Sequence, residues 1–312
     1  PRLSLIFLVL IPILGILMYF IMKKAFPLFR VVQEKIDRVN TVIRENLVGA
    51  RVVKSFVRED FERERFEKVK DYFEAKNFFG YPKEKVKFFM QSTLPLIDVK
   101  TKVILETPYS ITTGSNGNGD VFKSLANAGF IEKMEAENIE WIFVGGIDNI
   151  LLKIIDPPFL GLTIANSCEI ASKSIRKTDL SSKEWVFANV DSHPSIIDPK
   201  NIPEEEQSKY TQKNILAHLF SMNALKKLAT ADLPYHRAFK KCDFINSEGM
   251  KEVPLKPNAF KFEKFIFDAF ALFDKILLLE VNPSEEFAPI KSFTGNETPE
   301  TALELYKKYN YM

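Results

Sequence analysis

Cysteine, histidine and net charge are all scarce in this sequence, and each scarcity excludes a class of function. The two cysteines, Cys168 and Cys242, stand far apart, which argues against a disulfide framework and a cysteine zinc site and fits a reducing compartment. Three histidines, His193, His218 and His236, lack metal-ligand spacing, and no Ser/His/Asp or Cys/His motif surrounds them, so each reads as a core or surface residue. Lys+Arg 43 against Asp+Glu 41 leaves a formal charge of +2. No chain-wide field therefore draws nucleic acid or anionic lipid, and no nucleic-acid partner is expected. Internal repeats and low-complexity tracts are also missing. What remains is ordinary globular material: 312 residues, 46% hydrophobic and 27% charged, enough for two domains with sizeable cores. The first residue is Pro1 and not Met, which suggests a piece of something longer.

The N-terminal part is of a different kind. No charged residue occurs from Leu3 to Met22, a length that matches a bilayer core, and Lys23, Lys24 and Arg30 follow at once. The stretch 3–22 is expected to be a transmembrane helix with a cytoplasmic C-terminal flank; a signal peptide would end in small residues at a cleavage site. Beyond Pro27, apolar residues from Val31 to Val48 recur at three- and four-residue steps, the period of an amphipathic helix, and the stripe resumes at Val52, Val53, Phe56 and Val57. These residues, with Arg44-Glu45-Asn46-Leu47, Gly49, Arg51 to Phe56, Arg58-Glu59 and Arg65-Phe66, resemble the transmembrane half of ABC exporters over about residues 1–69. The resemblance implies a membrane helix with its intracellular extension. A working exporter half needs further spans and an ATP-binding Gly-rich loop ending in Lys-Ser/Thr, and none follows, so transport by this chain is not expected.

From residue 70 the pattern becomes that of an α/β domain. Short β-rich runs occur at 102–105, 141–144, 150–152 and 276–279, between turns and helical stretches. The turn Gly117-Asn118-Gly119 precedes an amphipathic helix with Val121, Phe122 and Leu125, and a helix start of this kind can offer amides to a phosphate or a base edge. Gly146-Ile147-Asp148-Asn149 places a carboxylate at the end of a buried strand, where open α/β sheets site ligands. Asn214 to Phe220 looks like a helix start, the Phe-rich stretch 262–273 has helical spacing suited to core packing, and 192–212 is the candidate exposed excursion.

Taken in order, these segments resemble UDP-sugar pyrophosphorylases, in particular the UDP-N-acetylglucosamine pyrophosphorylases. The carrying residues are Asn77 to Gly80, Phe88 to Pro95 with Gln91, Gly117-Asn118-Gly119, Gly146 to Asn149 and Asp156-Pro157. They continue with Asn214 and His218, Leu233 to His236 with Lys240-Lys241, Pro257-Asn258 with Phe260 to Glu263, and Glu286 to Lys291. The resemblance implies an incomplete Rossmann-like nucleotidyltransferase fold over 70–312, in the cytoplasm. It also implies a reaction of UTP with N-acetylglucosamine 1-phosphate or glucose 1-phosphate, giving UDP-sugar and pyrophosphate with Mg²⁺. Carried over by motif, Gln91 and Gly117 contact the uridine nucleotide, Asn118 and Asn214 the sugar, Asp148 the nucleotide and metal, Lys241 the nucleotide phosphates, and Lys261 the phosphate and sugar side. Lys241, Lys261 and Asp148 form the catalytic set. Two departures stand against the family pattern. The Gly-rich phosphate loop ending in Thr-Arg is missing from these residues, and Asp198-Pro199-Lys200-Asn201-Ile202 stands where the family places an aromatic, a hydroxyl and a glutamate near the sugar. The alternatives are a fragment of an exporter subunit and a nucleotide-sugar-binding module without catalysis.

Overall fold

The computed structural model describes residues 59–107, 109–177, 185–246 and 248–310. By internal packing the chain divides into units 1–46 and 47–312. The first unit and the predicted span 3–22 lie outside the described residues, and no helix among the described residues is long and apolar enough to cross a membrane. Helix Glu59–Ala75 runs unbroken through the predicted boundary at residue 70. Its Phe73 packs edge-on against Phe78, Phe79 and Phe88 at centroid distances of 6.3, 5.4 and 5.3 Å, which anchors the helix to the segment that follows.

A mixed six-stranded sheet forms the centre. Its path runs Leu277–Glu280, Ile170–Arg176, Gln212–Ser221, Val186–Val190 and His193–Ile197, with Trp141–Gly145 also paired to Gln212–Ser221. Leu277–Glu280 is parallel to Ile170–Arg176, while Gln212–Ser221 is antiparallel to Ile170–Arg176 and to Trp141–Gly145. The C-terminal ends of Trp141–Gly145 and Ile170–Arg176 therefore share one end of the sheet with the N-terminal end of Gln212–Ser221. Trp141–Gly145 has this one neighbour among the described strands, yet Ile142, Phe143 and Val144 are all buried. Apolar residues buried on both faces mark a strand covered on two sides.

On one face, His218 and Phe220 meet helix Val121–Asn127, helix Met222–Thr230 and the 3-10 turn Ile266–Leu272: Phe220 lies 5.1 Å from Phe122, and its ring stacks on Phe270. Side chains alternate between faces along a strand, so Ala171 and Lys173 point the other way, where Lys173 lies over Phe159 of helix Pro157–Ala165. Beside this body, Ile97–Asp98, Ala259–Glu263 and His236–Lys240 form a three-stranded sheet, and Thr93–Pro95 pairs with Thr113–Ser115.

Several local expectations need correction. Asn214 to Phe220 is strand, and the helix begins at Met222, capped by the Ser221 hydroxyl, which accepts from Ala224 N. The run 150–152 is a turn, because the Asn149 side chain binds Leu151 N and Glu286 O and folds the chain back on the C-terminal segment. Within 102–105 only Leu105 enters a strand; Ile104 is extended and bonded to Leu96 and Thr112. The Phe-rich stretch is core as expected, but as strand Ala259–Glu263 followed by a 3-10 turn. The excursion 192–212 contains strand His193–Ile197, and Pro194, Ile196 and Ile202 are buried.

Candidate functional site

The glycine turn takes its shape from a close approach of two backbones. Gly117 has φ +84, and a Cβ there would stand 2.2 Å from Lys264 O; at Gly119 it would stand 2.7 Å from the carbonyl carbon of Phe265. Gly119 N donates to Lys264 O at 2.9 Å, Lys264 N donates to Asn116 O at 2.7 Å, and Ile266 N donates to Asn118 Oδ1 at 3.0 Å. The turn is thus sewn to the chain just beyond strand Ala259–Glu263. Gly119 N, one of the amides at this helix start, is consumed here, and Asp120 N bonds Gly117 O. Asn118 has used its oxygen and keeps its amide group to donate.

Lys261 stands on that same strand. Its Nζ lies 2.8 Å from Glu263 Oε1 and 3.1 Å from Ser115 Oγ, with the stem resting on Gly114, where a Cβ would come within 3.2 Å of Lys261 Cε. Gln91 is drawn to the turn through its neighbour. Buried Asp120 accepts from Ser92 N at 2.9 Å, Ser92 Oγ at 2.8 Å, Asn116 Nδ2 at 3.0 Å and Ser124 Oγ at 2.7 Å. Four donors around one carboxylate balance the cost of burying it. Gln91, Gly117, Asn118 and Lys261 are therefore brought into one neighbourhood.

Asp148 and Asn214 form a second pair at the end of the central sheet. Asp148 is half-buried and follows strand Trp141–Gly145 directly. A Cβ on Gly146 would meet Asp148 Oδ1 at 2.5 Å, so a larger residue here would push the Asp148 carboxylate from its present position. Gly146 N donates to Leu216 O at 3.0 Å, and Leu216 N donates to Asn214 Oδ1 at 3.0 Å. Leu216 has φ +53 and lies in a break of register between Asn214 and His218, a bulge that re-aims the strand beside Asp148. The C-terminal segment holds the same turn: Ile290 N donates to Asp148 O, and Asn149 Oδ1 accepts from Ala288 N, each at 2.8 Å. Behind it Lys173, fully buried, lies 2.6 Å from Asp156 and 2.5 Å from Glu286.

Trp185 joins the two neighbourhoods. Its carbonyl accepts from Asn214 N at 2.9 Å, and its indole packs 5.7 Å from Phe265, 4.4 Å from Phe267 and 6.4 Å from His236. Lys264, which binds the glycine turn, immediately precedes Phe265. Burial lifts the Asp268 carboxyl above its usual range, while its 2.8 Å bond to His236 Nε2 opposes that shift. Lys241 stands apart: it is exposed beyond the end of strand His236–Lys240, three positions past Ala238, the ladder partner of Lys261. The sequence reading missed Asp120, Ser115, Glu263 and Trp185. A carboxylate directly after a glycine turn was the one available signal.

No group of three or more His, Cys, Asp or Glu side chains suited to a metal occurs among the described residues. Asp148 can supply one carboxylate, which suits a Mg²⁺ ion held chiefly by substrate phosphates and water. A cleft of about 670 Å³ lined by Trp141, Glu169 and Met222 lies at the other end of the strands and takes no part in this arrangement.

The mixed sheet with helices on its faces, and with the Asp148 turn and the Leu216 bulge at one end, is a nucleotidyltransferase-like α/β fold. The solved putative UDP-N-acetylglucosamine pyrophosphorylase from Entamoeba histolytica matches it with TM-score 0.73 at 28% identity, over 78% of this chain and 64% of that one. The family model described as UTP--glucose-1-phosphate uridylyltransferase matches residues 64–296, and the chain belongs to that family. It is 32% identical over 298 residues to the probable UDP-N-acetylglucosamine pyrophosphorylase of Dictyostelium discoideum, covering 88% of this chain and 61% of that protein. To the UDP-N-acetylglucosamine pyrophosphorylase of Saccharomyces cerevisiae it is 32% identical over 254 residues, 76% of this chain and 53% of that protein. The chain thus spans less than two thirds of the length of the relatives it matches. A second family model, described as ABC transporter transmembrane region, matches residues 1–94, less than a third of the chain. That match runs on past residue 70 into residues such as Ser92, whose carbonyl accepts from Asn116 N within the α/β unit.

Proposed function

We propose that residues 70–312 are the part of a UDP-sugar pyrophosphorylase that binds the uridine nucleotide and the sugar, in the reaction of UTP with a sugar 1-phosphate to give UDP-sugar and pyrophosphate. The observation that carries this reading is the sewing of the Gly117-Asn118-Gly119 turn to the strand of Lys261, which sets a tight turn, an amide donor and a lysine side by side. Transfer requires a sugar phosphate oxygen to attack the α-phosphorus in line, so the protein's work is to position two anions and offset the charge on the phosphoryl oxygens. Lys261 supplies a partly buried ammonium for that charge. Asp148 is the residue to hold Mg²⁺, which when bound draws charge off the phosphates. Gln91 offers a donor and an acceptor to the base, and Asn118 and Asn214 face the sugar. Lys241, exposed beyond the end of strand His236–Lys240, is the further lysine this reading assigns to the nucleotide phosphates.

N-acetylglucosamine 1-phosphate is the favoured sugar substrate, since that sugar appears in the names of the relatives quoted above. The 312 residues hold no Gly-rich phosphate loop. Missing backbone donors of that kind cost about 10²–10³ in rate. Binding of UDP-sugar with very slow turnover is therefore expected. Formation of UDP-N-acetylglucosamine from UTP and the sugar phosphate tests this, together with calorimetric titration of UDP-N-acetylglucosamine. Turnover equal to that of a complete relative refutes the claim about rate; absence of any binding heat refutes the site.

A further inference from the structure

Asp120 does more than satisfy its neighbours, because its four donors come from three separate pieces of chain. Ser92 lies in the segment of Gln91, Asn116 belongs to the glycine turn, and Ser124 is on helix Val121–Asn127. Ser92 and Asn116 are also tied directly, Asn116 Nδ2 to Ser92 Oγ at 2.9 Å and Asn116 N to Ser92 O at 3.0 Å. The antiparallel ladder of Thr93–Pro95 with Thr113–Ser115 runs on to the Ser92–Asn116 pair, and the buried carboxylate holds that last pair at the point where the Gln91 segment and the Gly117-Asn118 turn leave the ladder. Resting on the uridine-nucleotide reading above, we propose that Asp120 is a specificity-determining positioning residue: it sets the width of the slot between Gln91 and Gly117 so that a pyrimidine is accepted and a purine is refused. The helix side of the carboxylate, Ser124, carries the staple to the core, whereas the Ser92 side carries it to the slot. Only loss of the Ser92 side should alter which base is bound.

The test is calorimetric titration of the full chain and its Asp120→Asn, Ser92→Ala and Ser124→Ala variants with UDP and with ADP, thermal unfolding being recorded for each. The parent is expected to prefer UDP, and Asp120→Asn and Ser92→Ala to lower the ratio of UDP to ADP affinity by about tenfold, equivalent to 1.4 kcal/mol. Ser124→Ala removes a hydrogen bond to the same carboxylate and is expected to lower the unfolding temperature while keeping the ratio. Should Asp120→Asn fail to fold, Ser92→Ala, which keeps its backbone bond to the carboxylate, decides the matter. An unchanged ratio in Ser92→Ala, or an equal fall in Ser92→Ala and Ser124→Ala, overturns the proposal and leaves the nucleotide site standing. A parent that binds neither nucleotide overturns the site reading itself.

Discussion

Replacing Lys173 with methionine is expected to be among the most damaging single changes in the chain. Its ammonium is fully buried and lies 2.6 Å from Asp156 and 2.5 Å from Glu286, and it touches the Lys153 carbonyl at 3.4 Å. Methionine fills most of the volume but leaves two carboxylates facing each other, one of them 6% exposed, without their shared cation. Breaking a buried pair in this way costs roughly 3–5 kcal/mol. At about 2–4 °C per kcal/mol for a unit of this size, the midpoint should fall by about 6–20 °C. Urea unfolding followed by the fluorescence of Trp141 and Trp185 measures the loss. The triple change Lys173→Met, Glu286→Leu and Asp156→Asn, which removes the charges together and keeps an acceptor for Phe159 N at the helix start, should be less harmful than the single one. A loss below about 1 kcal/mol for Lys173→Met, or a triple variant that is worse than the single, refutes the reasoning.

In the presence of Mg²⁺, Asp148→Ala, which removes the carboxylate proposed to hold the metal, and Lys261→Ala, which removes a charge-assisted contact to phosphate, should each weaken UDP-N-acetylglucosamine binding by at least about tenfold, with unfolding curves little changed; calorimetry reads both. Glu263→Gln removes the carboxylate that occupies Lys261 at 2.8 Å and should tighten pyrophosphate binding, whereas weaker binding would show that Glu263 orients the lysine instead. Gly117→Ala should destabilise the chain by about 2 kcal/mol or more, since the added Cβ meets Lys264 O at 2.2 Å and φ is +84; a stable variant would mean that the turn can open. Burial lowers the His218 pKa to about 3, so the unfolded chain takes up a proton first as pH falls. Stability from this group is full above about pH 6.5 and is lost toward pH 3, about 2 kcal/mol of it between pH 7 and 5. His218→Gln should remove that share of the slope, and an identical slope in parent and variant would disprove the assignment.

How much could be read in advance depended on the range of the interaction. Trp141–Gly145 was legible because its short length, its aromatic and β-branched residues and the glycines that follow favour a strand, and Gly146 to Asn149 because a carboxylate after such a run has a characteristic place. Asn214 to Phe220 misled because its apolar spacing fits helix and strand alike; the choice is made by pairing with Ile170–Arg176 and Trp141–Gly145, which no local pattern contains. The glycines at 117 and 119 were visible as a turn, but the reason for them is Lys264 and Phe265, about 145 positions away along the chain. Asp120 was passed over since a lone aspartate before a helix looks like a cap, and its value lies in Ser92 and Asn116. Residues 1–58, on which the exporter resemblance mainly rests, lie outside the described structure.

One feature of the sheet bears on how the molecule behaves in company. Gly146 N donates to Leu216 O and Glu140 O accepts from Met222 N, so the alternate peptide groups of Trp141, Phe143 and Gly145 point away from strand Gln212–Ser221, and among the described residues no strand meets them. That border bears no charged side chain, no proline and no bulge to discourage a newcomer. Phe143, whose peptide groups face that border, is nonetheless only 5% exposed, so burial, and not charge or proline, keeps a further polypeptide from adding to this strand.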